Sequence, residues 1–264
     1  MQSVKITLDR KIKRVEIHTF ADWHIADKHC DTAAIRKQID DVRDNPNAYV
    51  ICNGDLINNA TKSSVSDCYA EEMPPMEAID TLVALLEPIK EKILMFTQGN
   101  HEARTYRSDG IDLTAIVARQ LGKYDVYCRE GGVLFLRFGK RSDGQRESSG
   151  KDVRRMSYTI YVTHGSGGGR KEGAKAIRLA DMASIVDCDI YVHSHTHLPM
   201  IMKQSFFRVD KSNSTVAQVE KLFVNTAAQL NYGGYGQTYE FKPSSKATPI
   251  IYLDGARKAF TAKL

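Results

Sequence analysis

Arg14-Val15-Glu16-Ile17-His18-Thr19-Phe20-Ala21-Asp22-Trp23-His24 is a run of β-branched and apolar residues that breaks off in an Asp-x-His island. The same pattern recurs four times. Ala48-Tyr49-Val50-Ile51-Cys52 leads into Asn53-Gly54-Asp55, and Ile93-Leu94-Met95-Phe96-Thr97 leads into Gly99-Asn100-His101-Glu102. Ser157-Tyr158-Thr159-Ile160-Tyr161-Val162 precedes Thr163-His164-Gly165, and Asp189-Ile190-Tyr191-Val192 precedes His193-Ser194-His195-Thr196-His197. Short apolar runs rich in β-branched and aromatic residues read as strands. A chain that sets oxygen and imidazole donors at the ends of successive strands is building one site from distant segments. Those donor types suit a pair of metal ions.

Helical patterns lie between the runs. Residues 33–42 follow the cap candidates Asp31-Thr32. Residues 76–89 carry Met76, Ile79, Leu82, Val83, Leu86 and Ile89 at helical spacing after Pro74-Pro75. Residues 111–121 end at Gly122, a natural C′ glycine, and 174–186 form a further helix. Residues 124–138 read as two short strands around Gly131-Gly132, and the polar stretch 140–152 as a surface loop or hairpin tip. Beyond Pro199, Phe206-Phe207-Arg208-Val209, Thr215-Val216-Ala217-Gln218-Val219 and Pro249-Ile250-Ile251-Tyr252-Leu253 suggest antiparallel strands. The expectation is one α/β domain over residues 1–264, with a motif-bearing part at 14–200 and a β-rich tail at 201–264.

Composition narrows the class. A chain of 264 residues with 42% hydrophobic content can bury a full core, and 26% charged residues is ordinary for a soluble protein. No apolar run approaches the ~18 residues that span a bilayer, and the alternating N-terminus lacks a signal-peptide core. The odd number of cysteines, five, with no C-x-x-C pair, argues for reduced thiols and a cytoplasmic location. A net charge of +5 is compatible with anionic substrates but falls short of a nucleic-acid-binding signature.

Taken singly, the islands are ordinary polar turns; together they are not. Asp22 and His24 are two apart, and in extended geometry both side chains reach the same side. Gly54 before Asp55 permits positive φ or a close backbone approach. Asn100 offers a carbonyl oxygen without adding charge, and His101 beside it could protonate or stabilise a leaving oxygen. His164 opens Gly165-Ser166-Gly167-Gly168-Gly169-Arg170-Lys171, an anion-cradle type of loop that lacks the Walker pattern. His195 and His197 are imidazoles at ligand spacing, with His193/His195 as an alternative pair.

The order Asp-x-His, Gly-Asp, Gly-Asn-His-Glu, His, His-x-His, from Asp22 to His197, resembles the calcineurin-like metallophosphoesterase superfamily. The resemblance implies that superfamily's α/β fold, with mixed β-sheets packed as a sandwich flanked by helices. It also implies two divalent metal ions, with manganese the first expectation and iron, zinc or nickel the alternatives. By motif position, Asp22, His24 and His197 would hold one ion and Asn100, His164 and His195 the other. Asp55 would bridge them, and His101 would be the non-ligating acid. The activity implied is hydrolysis of a phosphoester, with a phosphodiester the first expectation, by in-line attack of a metal-bound hydroxide.

Departures from the pattern bear on the substrate. Ser194 stands where the superfamily usually has glycine. Protein phosphatases of this type carry an arginine before Gly-Asn-His and an Asp-Arg pair after Gly-Asp; Gln98 and Asn58-Asn59 stand there instead, which disfavours that activity. The Asp22-Trp23-His24-Ile25-Ala26 segment looks somewhat like the SbcD-type nuclease branch, so a DNA or RNA nuclease is the alternative enzyme. A metal-binding scaffold without catalysis is the alternative of another class. Arg104, Arg107, Arg170 and Lys171, with Tyr232 and Tyr235, are candidate contacts to a phosphate ester, nucleotide or nucleic acid. No membrane partner is expected, and the oligomeric state is open.

Overall fold

A computed structural model describes residues 1–9, 11–65, 67–140, 156–167 and 169–264. The expected loop over 140–152 lies, past Lys140, outside them. In chain order the strands are β1 (Gln2–Asp9), β2 (Arg14–Phe20), β3 (Ala48–Asn53), β4 (Ile93–Thr97), β5 (Gly132–Lys140) and β6 (Met156–Val162). They continue with β7 (Ile190–His193), β8 (Met200–Asp210), β9 (Thr215–Asn225), β10 (Ile250–Asp254) and β11 (Phe260–Lys263). The helices are α1 (Thr32–Asp44), α2 (Pro75–Leu86), α3 (Glu102–Asp109), α4 (Leu113–Gln120), α5 (Glu172–Asp181) and the short α6 (Gly234–Thr238).

The strands form two mixed sheets, ordered β1-β5-β6-β7-β9-β8 and β11-β10-β2-β3-β4. One buried cluster joins them. It takes Val4, Leu136, Ile160, Val192 and Val224 from the first sheet and Ile17, Val50, Met95 and Ile251 from the second. Full burial of such side chains contributes roughly 1.5–3 kcal/mol each. Helices α1, α2 and α4 add Ile35, Ile79, Leu82 and Val117 to the same cluster. Alternation along β6 and β7 turns Tyr161 and Tyr191 to the opposite face, where they pack with Phe223 under Leu179 of α5. The result is an α/β architecture of sheets flanked by helices.

Strands β2, β3 and β4 are parallel to one another, as are β6, β7 and β9. Their carboxyl ends carry the polar islands, the edge at which open α/β sheets place their ligands. The tail is antiparallel as expected: β8 pairs with β9, and β10 with β2 and β11.

Four local readings need correction. Residues 124–138 are not two strands: Tyr124–Val126 is a 3-10 turn, Tyr127 makes a lone bridge to Phe96, and β5 follows. Helix α2 stops at Leu86, and a 3-10 turn over Glu87–Lys92 delivers Ile89 to the core. Pro88 has no amide hydrogen with which to extend the α-helical ladder. Helix α5 stops at Asp181, followed by a 3-10 turn that keeps Met182 buried. Finally, α3 begins directly at Glu102 and had no expected counterpart. Its sequence lacks an apolar stripe, and Glu102 is its buried residue.

Candidate metal centre

Three of the five islands leave their strands through left-handed backbone at donor residues. Asp22, His24, Asp55, His195 and His197 all take left-handed φ values, between 50° and 65°. The extended geometry expected at Asp22 and His24 is therefore wrong, although the two side chains do converge. A non-glycine residue there costs about 1–2 kcal/mol, and such strain gathers at functional sites. The surrounding hydrogen bonds hold it: Asp22 N donates to Gly54 O at 3.1 Å, and His24 N to Asp55 O at 3.0 Å.

The donor atoms form overlapping groups. Asp22, His24 and His197 make one, Asp55, His164 and His195 another, with each group's ligand atoms within 4.8 Å of one another. His24, Asp55 and His101 form a third group at the same spacing, so Asp55 lies between the first two. In the first group, His197 Nε2 is 3.3 Å from Asp22 Oδ1 and 3.4 Å from His24 Nε2. In the second, His164 Nε2 is 3.2 Å from both Asp55 Oδ2 and Asn100 Oδ1. Asp22 Oδ1 and Asp55 Oδ2 are buried and have no hydrogen-bond partner. Buried carboxylate oxygens are ordinarily satisfied. Two left bare, each ringed by imidazole nitrogens, fit a site for cations.

Outer contacts fix these donors. His164 Nδ1 is 2.7 Å from the carbonyl of Asn53, which aims Nε2 at Asp55. The buried Asn53 side chain ties the sheets together: Nδ2 donates to Thr163 O at 2.9 Å and Ser194 Oγ at 2.7 Å, and Oδ1 accepts from Thr97 Oγ1 at 2.6 Å. Ser194 thus replaces the usual glycine with a hydroxyl that has a partner. Glu102 accepts from the amides of Asp55, Leu56, Ile57 and Gly99 at 2.7–3.0 Å, binding the β3 and β4 ends into one unit. A Cβ on Gly54 would sit 2.4 Å from Gly99 N, so these two loops meet backbone to backbone. Thr226 Oγ1 and His195 N donate to Asp22 Oδ2, each at 3.2 Å.

The electrostatics agree with the geometry. Burial works against charge on Asp55, yet the facing His164 ring holds its carboxyl well below the usual range. Burial likewise opposes the Asp22 charge, which His197 restores. Burial disfavours a charged His164 ring, but Asp55 outweighs it and keeps this imidazole protonated up to about 10. His195 is pushed down to about 4 by burial and by His164, and burial also lowers His24 well below its usual value. Both are neutral imidazoles, the form that ligates metal. Glu102 is raised to about 7 by burial and by Asp55.

All seven expected ligand residues and His101 come together. Arg104 also reaches the site and touches His101. Arg170 and Lys171 are both exposed, and Arg170 stands over the Phe241 ring, 5.2 Å from its centroid. Arg107 and Tyr232 are exposed as well, and the Tyr235 side chain lies outside the described residues. His193 shares the outer face of β7 with Tyr191 and bonds Asn225 Oδ1 at 2.8 Å, away from the donor groups. Three contributors had no expected role: Asn53, Glu102 and Thr226. The run Leu222-Phe223-Val224-Asn225-Thr226 shows the same apolar-to-polar break as the other islands, and it alone could have pointed to Thr226.

Solved structures are similar to this chain at low identity. Vacuolar Protein Sorting 29 of Cryptosporidium parvum is 13% identical, with a TM-score of 0.44 and coverage of 95% of this chain and 97% of that one. A conserved Streptococcus pneumoniae TIGR4 protein described as a predicted phosphoesterase is 14% identical, with a TM-score of 0.37 and coverage of 91% and 84%. Vps29 of Entamoeba histolytica, complexed with zinc, is 11% identical, with a TM-score of 0.37 and coverage of 94% and 97%. No curated protein matches the chain. The model of one family spans residues 20–199, from the end of β2 past His197, and by that match the chain belongs to the calcineurin-like phosphoesterases.

Proposed function

We propose that this protein is a metal-dependent phosphoester hydrolase acting on phosphodiesters. The observation that carries the reading is the pair of buried, partnerless oxygens, Asp22 Oδ1 and Asp55 Oδ2, among converging imidazoles. Asp22, His24 and His197 would hold one cation and Asn100, His164 and His195 the other, with Asp55 shared. Manganese is the first choice and iron, zinc or nickel the alternatives. Two such ions, when bound, activate water and polarise a phosphoryl oxygen. The chain itself supplies orientation: Asn53 and Glu102 hold the loops, and His101 and Arg104 face the reacting centre. One guanidinium matches a singly charged diester better than a dianionic monoester. Gln98, at the phosphatase arginine position, is committed to Asp112 Oδ1 at 3.1 Å.

The test is hydrolysis of bis-p-nitrophenyl phosphate by protein loaded with each metal in turn. Turnover that falls at least 100-fold in Asp55→Asn and Asn100→Ala supports the reading; full activity in either variant sinks it. A second reading, a metal-binding scaffold without turnover, is favoured by the engagement of His101 Nε2 with Arg104. It predicts metal-induced stabilisation with no hydrolysis of any diester. A nuclease would degrade oligonucleotides with steep inhibition by salt.

A further inference from the structure

Arg104 lies one turn along α3 from His101, with its guanidinium half-buried at the edge of the site. Its Nη1 donates to the carbonyls of Asn58 at 3.2 Å and Asn59 at 3.3 Å. Its Nη2 is 3.0 Å from His101 Nε2, while His101 Nδ1 is 2.7 Å from Asn58 O. A guanidinium has donors only, so Nε2 must accept. A carbonyl oxygen has no hydrogen, so Nδ1 must donate. Both contacts select one species, a neutral imidazole with its hydrogen on Nδ1. The nitrogen that faces the site then holds a lone pair and has no proton to give.

Arg104 is better placed to donate. Two Nη1 hydrogens and one Nη2 hydrogen are committed, and a guanidinium has five N–H groups. Among the described residues, no acceptor engages the second Nη2 hydrogen or Nε–H. Its anchorage is firm. Asn59, itself at a left-handed φ of 47°, donates from Nδ2 to His101 O at 2.7 Å and accepts from Thr105 Oγ1 at 3.0 Å.

Building on the hydrolase reading, we propose that the donor facing the departing oxygen of the substrate is the Arg104 guanidinium, with His101 positioning it. A water oxygen bonds to phosphorus and gives up a proton to solvent, while the phosphorus–oxygen bond to the departing group breaks with its electron pair on that oxygen. The guanidinium N–H groups stabilise the developing charge, a preorganised donor effect, and solvent supplies the final proton. Because the protein hands over no proton, diesters with weakly basic departing groups, such as aryl or enol esters, are favoured over simple alkyl esters.

Two measurements test this. In aryl methyl phosphodiesters with phenols of graded acidity, Arg104→Gln should lower kcat/KM by about 100-fold. The loss should grow as the phenol becomes more basic. Arg104→Lys should recover part of it, and adding His101→Gln to Arg104→Gln should cost little more. Melting temperature and metal content should match the parent. A loss equal across all phenols, or a His101→Gln variant that loses far more than Arg104→Gln, overturns the assignment. Independently of turnover, imidazole ¹⁵N spectra of the zinc-loaded protein should show His101 protonated at Nδ1 alone, changing in Arg104→Gln. A His101 protonated at Nε2 overturns it too. If the parent cleaves no ester with any metal, the hydrolase reading fails; if it turns over and Arg104→Gln is unaffected, only the present assignment fails.

Discussion

Replacing Asn53 by alanine removes a side chain that bonds β4 on one side and the ends of β6 and β7 on the other. Asn53 has no solvent exposure, and its amide makes hydrogen bonds to Thr163 O, Ser194 Oγ and Thr97 Oγ1 at 2.9, 2.7 and 2.6 Å. In Asn53→Ala the Thr163 carbonyl and the Ser194 oxygen each lose a donor, whereas the Thr97 hydroxyl loses an acceptor and can rotate. Each buried group left unsatisfied costs about 1–3 kcal/mol, and the small cavity adds to this. A total near 3–4 kcal/mol is expected, lowering the melting temperature by roughly 10 °C for a chain of this size. His164 Nδ1 bonds the Asn53 carbonyl, which alanine retains. Zinc affinity should therefore weaken about 10- to 100-fold through loosened loops rather than vanish. Urea unfolding and isothermal titration with zinc read the two effects. Ser194→Ala alone should cost about 1 kcal/mol, and the double variant less than the sum, because the residues share a bond. A loss below about 1 kcal/mol in Asn53→Ala, or full additivity, would refute the tether.

His18 on β2 is buried and pushed down to about 4 by desolvation, with Lys92 and Lys37 also lowering it and Asp41 opposing. The unfolded chain binds this proton first, so stability is lost as pH falls from 6.5 toward 4. The amount is on the order of 3 kcal/mol, and His18→Gln should flatten urea midpoints across that window. Saturating manganese or zinc at about 100 times the dissociation constant should add about 2.7 kcal/mol; a chelator should reverse this, and Asp55→Asn should abolish it. Gly54→Ala drives a Cβ to 2.4 Å from Gly99 N, so its soluble protein should bind less metal per chain by elemental analysis. His193→Asn, on the outer face, should leave metal stoichiometry at the parent value.

The strand ends were legible because their donors follow runs whose apolar period is local. Helix α3 was not, since its sequence has no apolar stripe and its start is set by Glu102 capturing four amides from two other loops. The same limit applies to Arg170 and Lys171. Their charge and their position after His164 suggest a substrate contact, and both side chains are exposed, so no local pattern fixes what they touch.

What the sequence determined by itself was the set of donors and their order, because residue type fixes which atoms can ligate and strand periodicity fixes where they emerge. Only the tertiary structure decided how they meet. Left-handed turns at five of the donor residues, the backbone contact of Gly54 with Gly99, and the cross-sheet bonds of Asn53 all depend on segments that are distant in the chain. So does the tautomer of His101, which a carbonyl and a guanidinium impose on a ring whose chemistry alone leaves either nitrogen free to carry the proton.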